Sequence, residues 1–279
     1  MTMNRLQYED SIKMALLEDL RYGDLATAAI VRPRQRSKAL MTAKQDGVIA
    51  GLAVAAAVFE MVDSHIVFNA LAEEGAPVCR GDELAQIEGP TASLLNAERT
   101  ALNYLQRLSG IATCTRQAVE LVQGYPAVIV DTRKTTPGLR VLEKYAVRAG
   151  GGRNHRFTLS EAAMIKDNHI EAAGGITAAV ERVRADVGPT VKIEVEAESL
   201  EQVREALAAG ADIIMLDNMG LEEMAQAVEF IGGRALTEAS GGITLDRLPG
   251  IAATGVNFIS LGWLTHSAKA LDISLNIVE

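Results

Sequence analysis

From about residue 110 onward the chain alternates short apolar runs with amphipathic helical stretches, and this alternation restricts its fold more than any other feature. The strand candidates are 127–131, 163–167, 191–196, 212–217, 235–238 and 257–261, with helical periodicity over 176–187, 199–209, 221–231 and 244–253. Strands alternating with helices build a parallel sheet with crossover helices. Six of them fit either a doubly wound sheet or a barrel. No glycine fingerprint for a dinucleotide follows the first strand, which weighs against the open-sheet cofactor fold. The ends of the apolar runs favour a barrel. They carry Asp131, Thr132, Arg133 and Lys134; Lys166, Asp167 and Asn168; Glu194 and Glu196; Asp217 and Asn218; Glu238, Ser240, Gly241 and Gly242; and Ser260 and Gly262. α/β barrels assemble their sites at the C-terminal ends of many strands. Strands closed merely by turns would end in Asp, Asn or Gly, without Lys and Glu inside apolar runs.

The first part of the chain reads as a mixed α+β unit. An amphipathic helix is expected over 3–20, broken at Gly23-Asp24, with strand pieces at 38–43 and 47–49 and a helix over 51–62. Short strands follow between Ile66 and Ile87, and Thr91 or Ser93 caps a helix over 94–108. Arg32, Arg34, Arg36 and Lys38 alternate. No aromatic residues interleave for base stacking, so a charged edge strand is the expected reading.

Aromatic residues make up only 4% of the chain, so the core must be built from Ala, Val, Ile, Leu and Met. The net charge of −9 speaks against non-specific nucleic-acid binding. Between Asp131 and Lys166, however, eight Lys and Arg face three acids, a net +5 inside an otherwise acidic protein. Such an island is either a solvated loop or a site for an anionic small molecule. Cys79 and Cys114 imply no disulfide framework, and with no signal-peptide pattern a reducing cytoplasm is expected. The most apolar stretch, 48–62, is too short to span a bilayer.

Four constellations carry chemistry. The stretch from Asp131 to Arg140 places Arg133, Lys134, threonine hydroxyls and Gly138 directly after an apolar strand. Arg supplies a planar fork for a carboxylate or phosphate, Lys a point charge. Gly150 to Arg156 sets His155 and Arg156 after three glycines, which permit close ligand approach. Lys192, Glu194 and Glu196 share one face of a strand, expected to be the inward one. They form either a structural ion network with Lys166, or a site in which Glu196 and Asp217 approach Mg2+ or sugar hydroxyls. Ser240 to Thr244, and Leu261-Gly262-Trp263, resemble late phosphate loops of barrels, although a Gly-Gly turn is more often only a turn. Neither the cysteines nor the four histidines have zinc-like spacing.

At these residues the chain resembles the quinolinate phosphoribosyltransferase family. The matching motifs run from Glu18 and Gly23-Asp24, through Glu98 to Asn103, Leu108 to Thr113, Asp131 to Arg140, Lys144 to Arg148, Gly150 to Arg156, Ile165 to Ile170 and Met215 to Asn218. They continue to Ser240–Thr244, Leu264–Ser267 and Ala270–Leu275. The resemblance implies an N-terminal α/β sandwich over 1–109, rejoined by 270–279, and an incomplete α/β (TIM-like) barrel over 110–269. It implies a homodimer in which Arg99 reaches the partner's site. Arg99, Thr132, Arg133, Lys134, His155, Arg156 and Lys166 would form the basic pocket for quinolinate and phosphates. Glu196 and Asp217 would bind the ribose hydroxyls, directly or through Mg2+, and Lys134, Lys166, Glu196 and Asp217 would be catalytic. Ser240, Gly241, Gly242, Gly262, Trp263 and Leu264 would hold the 5′-phosphate of phosphoribosyl pyrophosphate. The chain departs from the family pattern at Ala149, Trp263, Arg21 and Ala26. Neighbouring readings are a related enzyme of molybdenum-transport operons, a Schiff-base barrel enzyme using Lys166, and a non-catalytic anion binder. Leu264 to Ser267 favours the quinolinate enzyme over the first.

Overall fold

The computed structural model describes residues 3–278. Along the chain run α1 (Glu9–Leu20), α2 (Leu25–Ile30), β1 (Arg36–Ala43), β2 (Gly47–Val48), α3 (Leu52–Val62), β3 (Val67–Ala70), β4 (Pro77–Val78), β5 (Glu83–Pro90) and α4 (Thr91–Leu121). Then come β6 (Val128–Val130), α5 (Arg140–Ala149), β7 (Ala163–Ile165), α6 (Asp167–Ala173), α7 (Ile176–Asp186), β8 (Ile193–Ala197) and α8 (Leu200–Ala208). The chain ends with β9 (Ile213–Asp217), α9 (Leu221–Ile231), β10 (Leu236–Ser240), α10 (Leu248–Ala253), β11 (Phe258–Ser260), α11 (Trp263–His266) and β12 (Ile273–Ile277).

Two compact units result. One comprises Met1–Arg116, Thr135–Gly151 and Trp263–Glu279; the other Gln117–Lys134 and Gly152–Gly262. The segment 135–151, with α5, thus packs in the first unit, so the second is not an unbroken span from 110 to 269. The first unit holds an antiparallel sheet in the order β12-β1-β5-β3. β1 buries Ser37, Ala39, Met41 and Ala43, while Arg36 and Lys38 project from its other face. It is therefore not the edge strand its charges suggested. Val278 N–H bonds to Lys38 O, and Ala39 pairs with both Ile277 and Ile87, because the C-terminal strand covers the edge that the charges left looking open.

α4 runs through Gly110 to Leu121, thirteen residues beyond the expected helix end at 108. Gly110 serves close packing: a Cβ there would overlap the carbonyl oxygen of Lys269 and press on Ala270 Cα. Both obstacles are backbone, which yields poorly. Gly110→Ala is expected to cost about 1–3 kcal/mol, read as a lower urea midpoint at unchanged slope. An unchanged midpoint would refute the close approach.

The second unit is a six-stranded parallel sheet in the order β6-β11-β10-β9-β8-β7, the incomplete barrel expected of the alternating segments. Its helices cover apolar strand faces with Ala179, Val180, Val203, Ala206, Met224, Ala227 and Ile231. Lys192, expected inward beside Glu194 and Glu196, lies before β8 begins, at the N-terminal end of the strand. There its ammonium donates to Asp212 Oδ1 at 2.8 Å, and Arg184 meets Oδ2 at 2.8 Å. Burial disfavours the Asp212 anion, but Lys192, the Ile193 N–H and Arg184 outweigh it and hold the carboxyl down to about 2. A depressed carboxyl stabilises the fold above its ordinary value of 3.8, and that contribution is lost as pH falls through about 2. Both cations are largely exposed, which reduces it to roughly 1 kcal/mol. Asp212→Asn is therefore expected to lower stability by about 1 kcal/mol at neutral pH and by less near pH 2. Urea titrations of both proteins across that range check the sign.

Candidate active site

Register brings the polar positions of the parallel sheet together. Glu196 and Glu238 both pair with Met215, Met164 with Glu194, and Ser240 with Asp217. Successive strand side chains alternate between faces, so Glu194, Glu196, Asp217, Glu238 and Ser240 share one face of the sheet. Glu194 is fully buried and Glu238 nearly so, whereas Glu196 and Asp217, closer to the C-terminal ends, are half-buried.

Asp131, buried at the end of β6, organises the segment that returns beside it. Its Oδ1 accepts the His155 backbone N–H at 2.9 Å, and its Oδ2 accepts from Asn154 Nδ2 at 2.5 Å. The His155 ring points into the sheet, with Nε2 3.1 Å from Glu194 Oε2 and 3.3 Å from Glu238 Oε2. Its Nδ1 accepts the Arg156 backbone N–H at 2.8 Å. Burial opposes a charged imidazole, but the two carboxylates outweigh it and push His155 up to about 10. Burial likewise raises Glu194. The amide N–H on Nδ1 opposes a second ring proton, so the geometry puts the ring's proton on Nε2, facing the two carboxylates.

Arg156 donates to Ala162 O at 2.8 Å. Burial and the neighbouring Arg133 guanidinium both lower its hold on its proton. Two arginines crowded together ask for an anion. They line a cleft of about 490 Å³ with Lys166, His169, Arg182 and the apolar Leu159 and Met164, and no acid is among its described lining residues. Lys166, just after β7, donates to Glu196 Oε2 at 2.5 Å. Lys134 is exposed, and its N–H bonds to Thr132 Oγ1 at 3.0 Å.

At the ends of β9 and β10 two turns interlock. Asn218 takes a left-handed conformation (φ 57°), donates its N–H to Ser240 O at 3.0 Å and its Nδ2 to Asp217 Oδ2 at 2.6 Å. Gly241 and Gly242 also have positive φ, and a Cβ on Gly241 would overlap the Asn218 side chain. The expected helix over 244–253 starts only at Leu248, after a tight turn at Leu245–Arg247. The glycine N–H groups, rather than a helix N-terminus, are thus what this turn offers an anion.

The profile of the quinolinate phosphoribosyl transferase C-terminal domain matches residues 111–276, and that of the N-terminal domain matches 24–109. The chain belongs to the quinolinate phosphoribosyltransferase family. It is 48% identical over 275 residues to a probable nicotinate-nucleotide pyrophosphorylase (carboxylating) of Bacillus subtilis, covering 99% of this chain and 95% of that one. The chloroplastic nicotinate-nucleotide pyrophosphorylase of Arabidopsis thaliana is 44% identical, over 95% of this chain and 81% of its own length. The crystal structure of NadC from Streptococcus pyogenes superposes with a TM-score of 0.96 at 44% identity, covering all of both chains.

Of the residues the family resemblance points to, Thr132, Arg133, Lys134, His155, Arg156, Lys166, Glu196, Asp217, Ser240, Gly241, Gly242 and Gly262 lie in the second unit. Arg99 lies in the first, exposed on α4, as do Trp263, half-buried at the start of α11, and Leu264, whose side chain is fully buried. Sequence reasoning missed three contributors. His169 and Arg182 line the cleft, and Arg182 sits one helical turn from Ala179, a spacing that could have flagged it. Glu238 was read only as a strand end. Its parity with Ser240, in alternation with Thr237 and Ala239, was the available signal that it shares the face of the strand-end polar residues. Among the described residues, His155, Glu194 and Glu238 form a group of three side chains close enough to hold a metal ion.

Proposed function

We infer that this chain transfers the phosphoribosyl group of phosphoribosyl pyrophosphate to quinolinate, releasing pyrophosphate and CO2 and forming nicotinate mononucleotide, a step of NAD biosynthesis. The observation that carries this is the acid-free cleft of Arg133, Arg156, Lys166 and Arg182, whose cations match a rigid dicarboxylate and whose Met164 and Leu159 match an aromatic ring. Arg133 and Arg156 clamp the two carboxylates. Glu196 and Asp217 accept from the ribose hydroxyls and favour the positive charge that develops at C1. Ser240 to Gly242 present N–H groups to the 5′-phosphate.

The C1–O bond to pyrophosphate breaks, with the electron pair leaving on oxygen, and the pyridine nitrogen lone pair forms the new bond to C1. The ring nitrogen, now positive, accepts electron density as the neighbouring C–COO bond breaks. CO2 departs, and the ring carbon takes up a proton. Lys134 and Lys166 offset the charge of the departing group. The carboxylate oxygens of Glu196 and Asp217 suit Mg2+, which would neutralise pyrophosphate when bound with it.

A homodimer completes the pocket, with Arg99 supplied in trans. Two features support this: Arg99 is exposed, and Leu6, Met14, Tyr22, Leu25 and Ile30, in and around α1 and α2, lie 67–91% exposed as an apolar surface suited to a second copy. Two free cysteines suit a reducing cytoplasm, and no described helix is long and apolar enough to cross a membrane.

The decisive assay supplies purified protein with quinolinate, phosphoribosyl pyrophosphate and Mg2+, and measures CO2 and nicotinate mononucleotide. Absence of product, or equal turnover with nicotinate, overturns the assignment. For the shared site, mixing Arg99→Ala with Lys166→Ala protein is expected to restore activity that neither has alone, since some mixed dimers carry one intact pocket. No recovery after subunit exchange would place Arg99 in cis.

A further inference from the structure

Glu194 and Glu238 are buried acids in the middle of parallel strands, and neither lines the cationic cleft. Taking carboxylates out of water is costly unless something holds them, so a role beyond filling space is called for. Both converge on one atom, Nε2 of His155. The ring's other nitrogen is held by the Arg156 N–H, and the His155 backbone by Asp131. Every polar group of His155 named here thus faces protein. The side chain that continues toward the cleft is the next one, Arg156, whose guanidinium neighbours Arg133.

We propose that Glu194 and Glu238 are positioning residues: they clamp His155 Nε2–H, and the clamped ring fixes the backbone of Arg156 so that its guanidinium stands beside that of Arg133 as a fork for a dicarboxylate. The inference rests on the proposed quinolinate reaction and assigns two further residues to it. The mechanical logic is direct. Two like charges side by side repel, and Arg156 would swing toward solvent unless its main chain were pinned. Asp131 holds the segment through the His155 N–H and the Asn154 amide, and Arg153 pairs with the β6 backbone, but none of these contacts fixes the His155 ring that follows. The buried imidazole adds a further point: its Nε2 lies 3.1 Å from Glu194 Oε2 and 3.3 Å from Glu238 Oε2, and Glu194, whose oxygens make no directed hydrogen bond, holds the ring by charge. The Arg156 guanidinium is itself held at one edge by Ala162 O at 2.8 Å, so the clamped backbone and this bond together set where its remaining N–H groups stand.

Kinetics and NMR of the full-length protein test this. Glu194→Ala and Glu238→Ala should each raise KM for quinolinate about ten-fold or more, with KM for phosphoribosyl pyrophosphate changed by less than about two-fold. Glu194→Gln and Glu238→Gln keep an acceptor oxygen at the same reach and should recover most of the loss. Equal rises in both KM values, or no rise for quinolinate, overturn the proposal. Should the alanine variants not fold, the glutamine pair and the wild-type protein still decide. The 15N signals of His155, assigned against His155→Gln, should show a protonated Nε2 and an unprotonated Nδ1, and an Nδ1–H tautomer refutes the clamp. Failure of the wild-type protein to turn over quinolinate would instead overturn the reaction, and the tautomer would still report on the clamp.

Discussion

Arg107→Ala is expected to destabilise the protein by about 3 kcal/mol, because it strands a carboxylate fully removed from water. Glu143, on α5, has no exposed side-chain surface, and its Oε1 receives the Arg107 guanidinium at 2.8 Å through Nη2 and at 3.2 Å through Nε. Removing the arginine leaves the carboxylate, among the described residues, the Thr136 amide and hydroxyl at 3.0 and 2.7 Å, which places the cost at the low end of the range for broken buried pairs. The guanidinium also donates to the carbonyl oxygens of Thr265 and Ala268, so α4, α5 and the segment leading to β12 lose a common tie. Urea unfolding measures the loss, and Arg107→Met combined with Glu143→Leu should recover much of it, since an apolar pair strands no charge. A single-variant loss below about 1 kcal/mol would mean that water reaches Glu143 in place of the arginine.

The second large effect is on catalysis. Lys166→Ala is expected to lower kcat/KM by about 10²–10³ with little change in stability. Lys166 is 46% exposed, so its removal opens no core, and its ion pair with Glu196 is too open to water to carry much folding energy. Its chemical loss is double. The cleft loses one of four cations, and Glu196 loses the ammonium that orients Oε2 at 2.5 Å. Lys166→Arg keeps the charge but not the point-like reach, and should restore activity only in part. A decrease below about ten-fold, with urea midpoint intact, would remove Lys166 from the catalytic set.

The barrel was legible in the sequence because its rule is local. Apolar runs of strand length alternating with amphipathic helices recur from 127 onward, and the observed strands fall inside or within two residues of those runs. The polar ends of the runs were legible for the same reason. The cationic cleft was half legible: Arg133, Arg156 and Lys166 follow strands or glycines, whereas Arg182 lies in an ordinary-looking amphipathic helix. α4 was expected to end at 108 but runs to Leu121, past Gly110, whose close approach to the Lys269 and Ala270 backbone only the fold reveals.

Tertiary structure alone decided the pairing of charges. Lys192, Glu194 and Glu196 alternate on one strand and read as one network. Yet Lys192 goes to Asp212, Glu196 to Lys166, and Glu194, with Glu238, to His155. Periodicity in the chain determines which face a side chain takes, since that follows from the geometry of a single strand. Which partner it meets there depends on the register and order of strands distant in sequence. So the sequence by itself determined a barrel with a basic island and acids at its strand ends. Only the fold, by setting β8 and β10 on either side of β9 and bringing the segment after Gly152 back beside β6, turned two of those acids onto a histidine and left the arginines facing the cleft.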